Sequence, residues 1–360
     1  MVKNILVTAA GSPGFITVQK AIRSTVSMSD DLVIHGCDMN PDSIGLKMCD
    51  ESFVSFGGSS SRYVANMLEY CTKNNIDLII PCSDEELLPL SRYKHVFESK
   101  GCGVLVPSEE SLLVVLNKSK LFKFCTNRGM ERYVPKHYSC NNEHQLLNAY
   151  EELTKNGYNA CVKPAQAHGS RGFRVISNRP CSRSDFLNKK VDSYHISIDD
   201  LCKTLSCTDD SRFPELLVME YLSGVEYSVD CFKRQNDFLC IPRTREIIKD
   251  GICVFGTVTE NKELMSASEE LYNELKLEYN ANLQFKYDDH EEPKLLEINP
   301  RFSGTMEHCR AAGVNLVEVA LHEILGIEHL SYDIKWGTEM TRVWKEVFRH
   351  GDALFCLGGH

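Results

Sequence analysis

Late in the chain, Leu295-Leu296-Glu297-Ile298-Asn299-Pro300-Arg301 sets a carboxylate, a carboxamide and a guanidinium close together. If this apolar run is a β-strand, Glu297 and Asn299 are two residues apart and point to one face. Two oxygen donors on one rigid face are what a Mg²⁺–phosphate cluster requires. Gln284, in Leu283-Gln284-Phe285, adds a third oxygen if its own strand pairs with this one. Pro300 ends the strand, so Arg301 falls where a guanidinium can clamp a phosphate in transfer. A merely solvated strand face more often carries Lys, Thr or Glu, without the Pro-Arg sequel.

Three further stretches carry chemistry of the same kind. In Lys163-Pro164-Ala165-Gln166-Ala167-His168-Gly169-Ser170-Arg171-Gly172 a lysine ends one strand and a loop of small residues leads to the next. Backbone N–H groups of such a loop can cover phosphates while the lysine supplies charge. An ordinary hairpin turn is the alternative, with His168 simply exposed. In Val218-Met219-Glu220-Tyr221-Leu222-Ser223-Gly224-Val225-Glu226 the chain leaves a strand, turns at Gly224 and places a carboxylate beyond it. Connector amides can read an adenine edge and the carboxylate can accept from ribose hydroxyls; a solvent-exposed hairpin explains the pattern equally. Arg243 and Arg245 alternate onto one strand face, suited to a carboxylate or phosphate. Surface salt bridges account for them as well.

These side chains need elements to hold them. Over residues 1–110 strand and helix signals alternate as in a parallel α/β sheet: strands near 4–9, 31–36, 76–81 and 103–106, with helices near 16–24, 62–74 and 85–100. Ser83-Asp84-Glu85-Glu86 follows the third strand, at the carboxyl ends where open α/β sheets bind ligands. Ser83 with Glu86 also reads as a capping box, the preferred role for Glu86, which leaves Ser83, Asp84 and Glu85 as candidate substrate contacts. Gly11 and Gly14 lack the third glycine of a dinucleotide fingerprint, although Asp38 stands where a ribose carboxylate would. A plain strand-to-helix turn, or a small anion at that helix N-terminus, fits as well. Beyond 111 the reading is a helix through 116–129, an extended stretch at 133–138, a helix over 143–156 and strands at 161–164 and 173–176. After a polar stretch at 177–213 come strands at 216–220, 226–233, 238–245, 254–258, 282–287 and 294–299.

Composition bounds the answer. A chain of 360 residues suggests two or three structural units, and 42% hydrophobic with 25% charged residues is globular rather than disordered. The net charge of −10 argues against a general nucleic-acid binder. No apolar run is long enough for a membrane span, and Met1-Val2-Lys3-Asn4 opens no signal-peptide core, so the expectation is a cytoplasmic chain with no membrane partner. The 16 cysteines include no Cys-x-x-Cys pair and several sit in apolar runs, which predicts reduced core thiols rather than zinc or disulfides.

Taken in order, these motifs resemble the ATP-grasp superfamily, in particular the carboxylate–amine ligases similar to the carbamoyl-phosphate synthetase large subunit. Asn117-Lys118 resembles that family's Asp-Lys before a helix, with Asn replacing Asp. The resemblance implies that Lys118 and Lys163 contact ATP phosphates and that Gly169, Ser170 and Gly172 form the glycine loop. It makes Glu220, Tyr221 and Leu222 the adenine hinge and Glu226 the ribose ligand. Gln284, Glu297 and Asn299 become the Mg²⁺ positions (Mn²⁺ being the substitute), and Arg301, with Lys163, the catalytic charge on phosphate. Ser83, Asp84, Glu85, Arg243, Arg245 and Ser303 are the candidate substrate contacts. The implied fold is α/β and α+β: a pre-ATP-grasp Rossmann-like domain at 1–110, then a two-lobed ATP-grasp domain with lobes at 111–215 and 216–330. The tail at 331–360 has no assigned role. The implied reaction activates a small carboxylate as an acylphosphate and joins it to an amine, with a homo-oligomer allowed. A nucleotide-binding sensor without turnover, and a nicotinamide oxidoreductase, are the competing readings.

Overall fold

A computed structural model of the chain describes residues 3–25, 32–167, 171–178, 195–206, 213–234, 237–249, 251–325, 331–351 and 353–355. The described residues divide between two compact units. One comprises Met1–Leu113, Tyr227–Gln284 and Ile298–His360; the other comprises Val114–Glu226 and Phe285–Glu297. Compactness therefore groups 216–226 and 285–297 with the residues from 114 onward, rather than with the rest of the expected 216–330 lobe.

The first unit begins with a parallel sheet: β1 (Lys3–Val7), β2 (Leu32–Asp38), β3 (Glu51–Val54), β4 (Leu78–Ile80) and β5 (Gly103–Val104), in the order β3-β2-β1-β4-β5. The order in which the chain lays down its strands reverses between β1 and β4, the place where open parallel sheets carry a crevice at the carboxyl ends. Strand β3, short and mostly exposed, had no clear apolar signal. Helix α1 (Pro13–Arg23) starts where Ser12 accepts the N–H of Phe15, with proline in its first turn. Helix α2 (Tyr63–Lys73) matches expectation, whereas the helix expected at 85–100 is two, α3 (Asp84–Arg92) and α4 (Lys94–Glu98), with Pro89 inside the first. Ile5, Val7, Ile34, Leu78 and Ile80 form a core with Phe15, Val18 and Ile22 of α1.

After α5 (Glu109–Val115) comes α6 (Lys118–Asn127) of the second unit. The helix expected through 116–129 is α6, which starts only at Lys118 because Asn117 takes an extended conformation and its Oδ1 accepts the N–H of Lys120 at 3.0 Å. Next are β6 (His137–Cys140), α7 (Glu143–Lys155), β7 (Ala160–Pro164), β8 (Arg174–Ile176), β9 (His195–Ile196), a helix at Ile198–Ser206, and β10 (Leu216–Glu220). The sheet order is β6-β10-β7-β8-β9, with β10 antiparallel to both β6 and β7. Leu146, Ala149 and Leu153 recur along α7 at helical spacing and bury against Val162 and Val218.

The remaining strands are β11 (Glu226–Lys233), β12 (Phe238–Thr244), β13 (Ile247–Lys249), β14 (Ile252–Thr257), β15 (Asn280–Tyr287), β16 (Pro293–Asn299), β17 (Glu339–Thr341), β18 (Phe348–His350) and β19 (Ala353–Phe355). They form a sheet of order β12-β11-β15-β16, a second of order β13-β14-β17, and a terminal hairpin. A helix at Lys262–Glu274 interrupts what read as a purely β-rich stretch. Asn261 caps it, and Leu264, Ala267 and Leu271 are buried at the spacing that would have revealed it. The tail is part of the first unit: the Lys335 N–H donates to Ala312 O, Gly337 to Val258 O, and β17 pairs with β14. Every cysteine among the described residues is free, and all but Cys49 are buried. Among those residues no helix is long and apolar enough to cross a membrane.

Candidate active site

In the second unit, three charged groups expected at ATP phosphates and metal come together. Lys118 is the first residue of α6; its Nζ lies 3.1 Å from Glu297 Oε2 on β16 and donates to Ala167 O at 2.9 Å. Its backbone N–H donates to Ala165 O, which ties the start of α6 to the segment leaving β7. Lys163 on β7 donates from Nζ to Leu296 O at 3.2 Å, with the Phe122 ring 5.7 Å away. Burial first, and then the neighbouring Lys118 charge, lower its pKa to about 8 against the opposing pull of Glu297 and Glu226. Two ammonium groups side by side are a suitable partner for a phosphate chain.

The loop after β7 is described only in part. Gly172 has φ +73°, and a Cβ there would meet the Pro164 ring at 2.7 Å, so glycine is required twice over. Gly169 and Ser170 lie outside the described residues, as does His168. At the end of β10, Glu220 is buried and accepts the Lys136 N–H on Oε1 at 2.7 Å; burial pushes its carboxyl up. The Tyr221 N–H is committed to Asn159 O at 2.7 Å, and the Tyr221 ring faces the Lys286 ammonium at 5.0 Å. Gly224 donates to Tyr287 O, whose oxygen a Cβ would meet at 2.7 Å. Beside this connector is a cavity of about 280 Å³, lined by Glu220, Tyr221, Leu222, Lys136, Asp288 and Lys294 among others. Lys118 and Lys163 do not line it.

Gln284 is on β15, and Glu297 and Asn299 share one face of the neighbouring β16. A carboxylate and an amide carbonyl two residues apart on one strand face are hard oxygen donors of the kind Mg²⁺ takes. Among the described residues no cluster of three or more His, Cys, Asp or Glu offers a competing metal site.

In the first unit, Arg301 follows β16 and grips Asp84 with two parallel bonds: Nε to Oδ1 at 2.8 Å and Nη2 to Oδ2 at 3.0 Å. Asp84 is the first residue of α3 and is buried, while Glu85 beside it is exposed. The expected capping box does not form. Ser83 makes no side-chain cap bond, and Glu86 turns inward, where it accepts from the Thr8 hydroxyl. Burial pushes the Glu86 carboxyl up to about 7.

The shared face expected for Arg243 and Arg245 is also absent. Strand β12 ends at Thr244, and Arg245 reaches Gly251 O from beyond it. Arg243 is wholly buried, ion-paired with Asp230, and donates to Thr305 Oγ1 at 2.8 Å and Ser303 Oγ at 3.2 Å. Asn282 completes the cluster by donating to Asp230 Oδ1 at 2.8 Å. Arg243 thus braces the loop after Arg301 from below, and Ser303 is part of that brace. The same loop gains a residue that sequence reasoning did not find: Arg342, in the tail, donates to Gly304 O at 3.0 Å. A lone arginine after a three-residue strand has no pattern to single it out. In the first turn, Asp38 accepts from the N–H groups of Gly11 (2.6 Å) and Asn40 (2.8 Å), so its carboxylate braces the turn.

Comparison with known proteins gives two family matches: "PylC-like, N-terminal domain" over residues 5–105, and "ATP-grasp in the biosynthetic pathway with Ter operon" over 212–345. The carbamoyl phosphate synthase large chain of Clostridium acetobutylicum is 26% identical over 216 residues, 56% of this chain and only 18% of that protein. Two solved structures have a similar fold, each with a TM-score of 0.67 and 15% identity. The ADP complex of purK, an N5-carboxyaminoimidazole ribonucleotide synthetase, covers 96% of this chain and 81% of its own. The biotin carboxylase of Campylobacter jejuni covers 93% and 74%. The fold is thus a Rossmann-like α/β domain followed by an ATP-grasp domain. Residues 212–345 are thus similar to an ATP-grasp family and residues 5–105 to the PylC-like N-terminal domain.

Proposed function

We propose that this chain is an ATP-dependent ligase that phosphorylates a small carboxylate and passes the acyl group to an amine, releasing ADP and phosphate. The observation that carries the reading is the convergence of Lys118, Lys163 and Glu297. Lys118 and Lys163 would hold the phosphates, with Gly169, Ser170 and Gly172 as the covering loop. The Tyr221 N–H is already spent on Asn159, so the adenine donor contact falls to the Leu222 backbone, and Glu226 takes the ribose.

Gln284, Glu297 and Asn299 would hold Mg²⁺, whose bound charge offsets that of the phosphates. The chain's own work is electrostatic. Lys163 and Arg301 spread the charge that develops as the substrate carboxylate displaces ADP from the γ-phosphate. The acylphosphate so formed is labile to water, which is the use of a covering loop. The amine then attacks the acyl carbon, phosphate leaves, and no protein nucleophile is needed. Asp84, Glu85 and the loop braced by Arg243 would shape the carboxylate and amine subsites. A cytoplasmic setting suits the free, mostly buried thiols.

The test is incubation of the chain with MgATP and a panel of amino acids and other small carboxylates, each paired with amines, measuring ADP and phosphate. Release that depends on particular pairs supports the ligase. Tight nucleotide binding with no pair-dependent release would identify a sensor instead, and reduction of NAD(P) without ATP use would sink both.

A further inference from the structure

We propose that Arg342, in the tail, binds a carboxylate of the small-acid substrate through a free edge of its guanidinium. The proposal rests on the ligase reading given above and adds to it a residue that selects the acid. Arg342 directly follows β17, and its backbone N–H donates to Val254 O on β14, so the base of the side chain is fixed. Its Nη2 donates to Gly304 O at 3.0 Å. Nε and Nη1 have no partner among the described residues, and neither is shut off from solvent. Because Nη2 carries two N–H groups, whichever one Gly304 takes, the other completes a free edge with Nε or Nη1. Gly304 O also accepts from Thr17 Oγ1 at 3.2 Å, and a Cβ at Gly304 would come within 3.7 Å of Gly14 N. The loop therefore lies against the first turn of α1, the end of a helix that favours an anion.

The charges nearby leave Arg342 without a counterion. Burial, and then the Arg243 charge, pull its pKa below the ordinary arginine value, against Cys253 and Glu307. Glu307 is already held by Arg310, which reaches it with Nε at 3.2 Å and Nη2 at 2.6 Å. Asp230 is held by Arg243. Among the described residues, then, Arg243, Arg310 and Arg342 share two carboxylates. A bond to one carbonyl oxygen does not require an arginine, and an unpaired charge that is half-buried costs desolvation. A planar guanidinium with a free edge is the group that meets a carboxylate in two parallel bonds. Under the ligase reading phosphate belongs to Lys118 and Lys163, which leaves the acid as the anion for Arg342.

The experiment uses the full chain without nucleotide and follows thermal melting in sodium succinate, sodium L-glutamate, sodium phosphate and sodium chloride at matched ionic strength. Such anions stabilise folds in general, so the readout is the difference between the wild type and Arg342→Met. Succinate or glutamate should raise the wild-type melting temperature, relative to chloride, by about 2–4 °C more than it raises that of the variant. Phosphate should give a smaller difference. In chloride the variant should melt no lower than the wild type, because it has lost an unpaired charge, and it should bind MgADP equally well. Equal carboxylate shifts in the two proteins would overturn the proposal, and so would a larger difference from phosphate. MgADP binding by the wild type is read separately. Its failure would reject the ligase reading and with it the acid's status as substrate, whereas intact MgADP binding without a carboxylate difference rejects this proposal alone. If Arg342→Met melts lower or does not fold, Arg342→Lys decides, since it keeps the charge but not the flat edge: a weakened carboxylate shift supports the proposal, and an undiminished one rejects it.

Discussion

The Lys118 ammonium lies 3.1 Å from Glu297 Oε2, so a lysine expected at phosphate and a carboxylate expected at metal are each other's counterion. A bound metal would therefore compete with Lys118 for Glu297. Replacing it separates the two roles. Glu297→Gln should abolish ATP turnover and weaken MgADP binding, while ADP without metal binds no worse, because the lysines lose a competing carboxylate. Calorimetric titration with and without Mg²⁺ checks this, and equal MgADP affinity in the variant would remove the metal assignment.

Lys163 gives a pH signature of two opposite signs. Its folded pKa is lowered to about 8, below the lysine value of about 10.4 in an unfolded chain. The unfolded state thus binds more protons between those values, and stability of the nucleotide-free chain should rise as pH climbs through that window. Nucleotide affinity should fall across the same range, because the neutral amine no longer attracts phosphate. Urea melts and MgADP titrations across the window test both, and Lys163→Met should flatten both profiles.

Glu86 predicts the reverse slope at lower pH. Its carboxyl is raised from the ordinary 4.5 to about 7, so the folded state holds a proton that the unfolded state has released. This contribution favours folding least above pH 7, and stability should decline as pH rises from 4.5 through 7. Glu86→Gln keeps an acceptor for the Thr8 hydroxyl and removes the penalty, which is on the order of 3 kcal/mol. Chemical unfolding at both ends of the range should show the variant as the more stable protein only at the upper end.

The Asp230–Arg243 pair predicts a stability effect rather than a direct loss of substrate contact. Both side chains are almost wholly buried, so Asp230→Ala leaves an unpaired guanidinium in the core. The expected cost is about 3–5 kcal/mol in urea unfolding. Arg243→Met in the same background should recover much of it, since an apolar pair of similar size avoids the desolvation.

Much of the site was legible because it depends on short spacings. The face shared by Glu297 and Asn299 follows from strand alternation, whereas the start of α6 at Lys118 does not follow from periodicity, since the reading through Leu116 is continuous helix. The core stripe of α7 and the parallel alternation of the first 110 residues are periodic signals of the same local kind. The helix at Lys262–Glu274 carried such a signal too, hidden by its β-rich surroundings.

The rest depends on partners far apart in the chain. Arg301 and Asp84 are separated by 217 residues, and no spacing rule relates them. Glu86 had the pattern of a capping box, yet the Thr8 hydroxyl at the end of β1 draws it inward. Arg243 had the pattern of a surface cation, and Asp230, Ser303 and Thr305 close around it. Sequence alone determined which groups carry charge and which way neighbouring side chains point, because backbone geometry repeats every few residues. Tertiary structure alone decided which charges face one another, because burial and pairing depend on distances that the folded chain, not its order, sets.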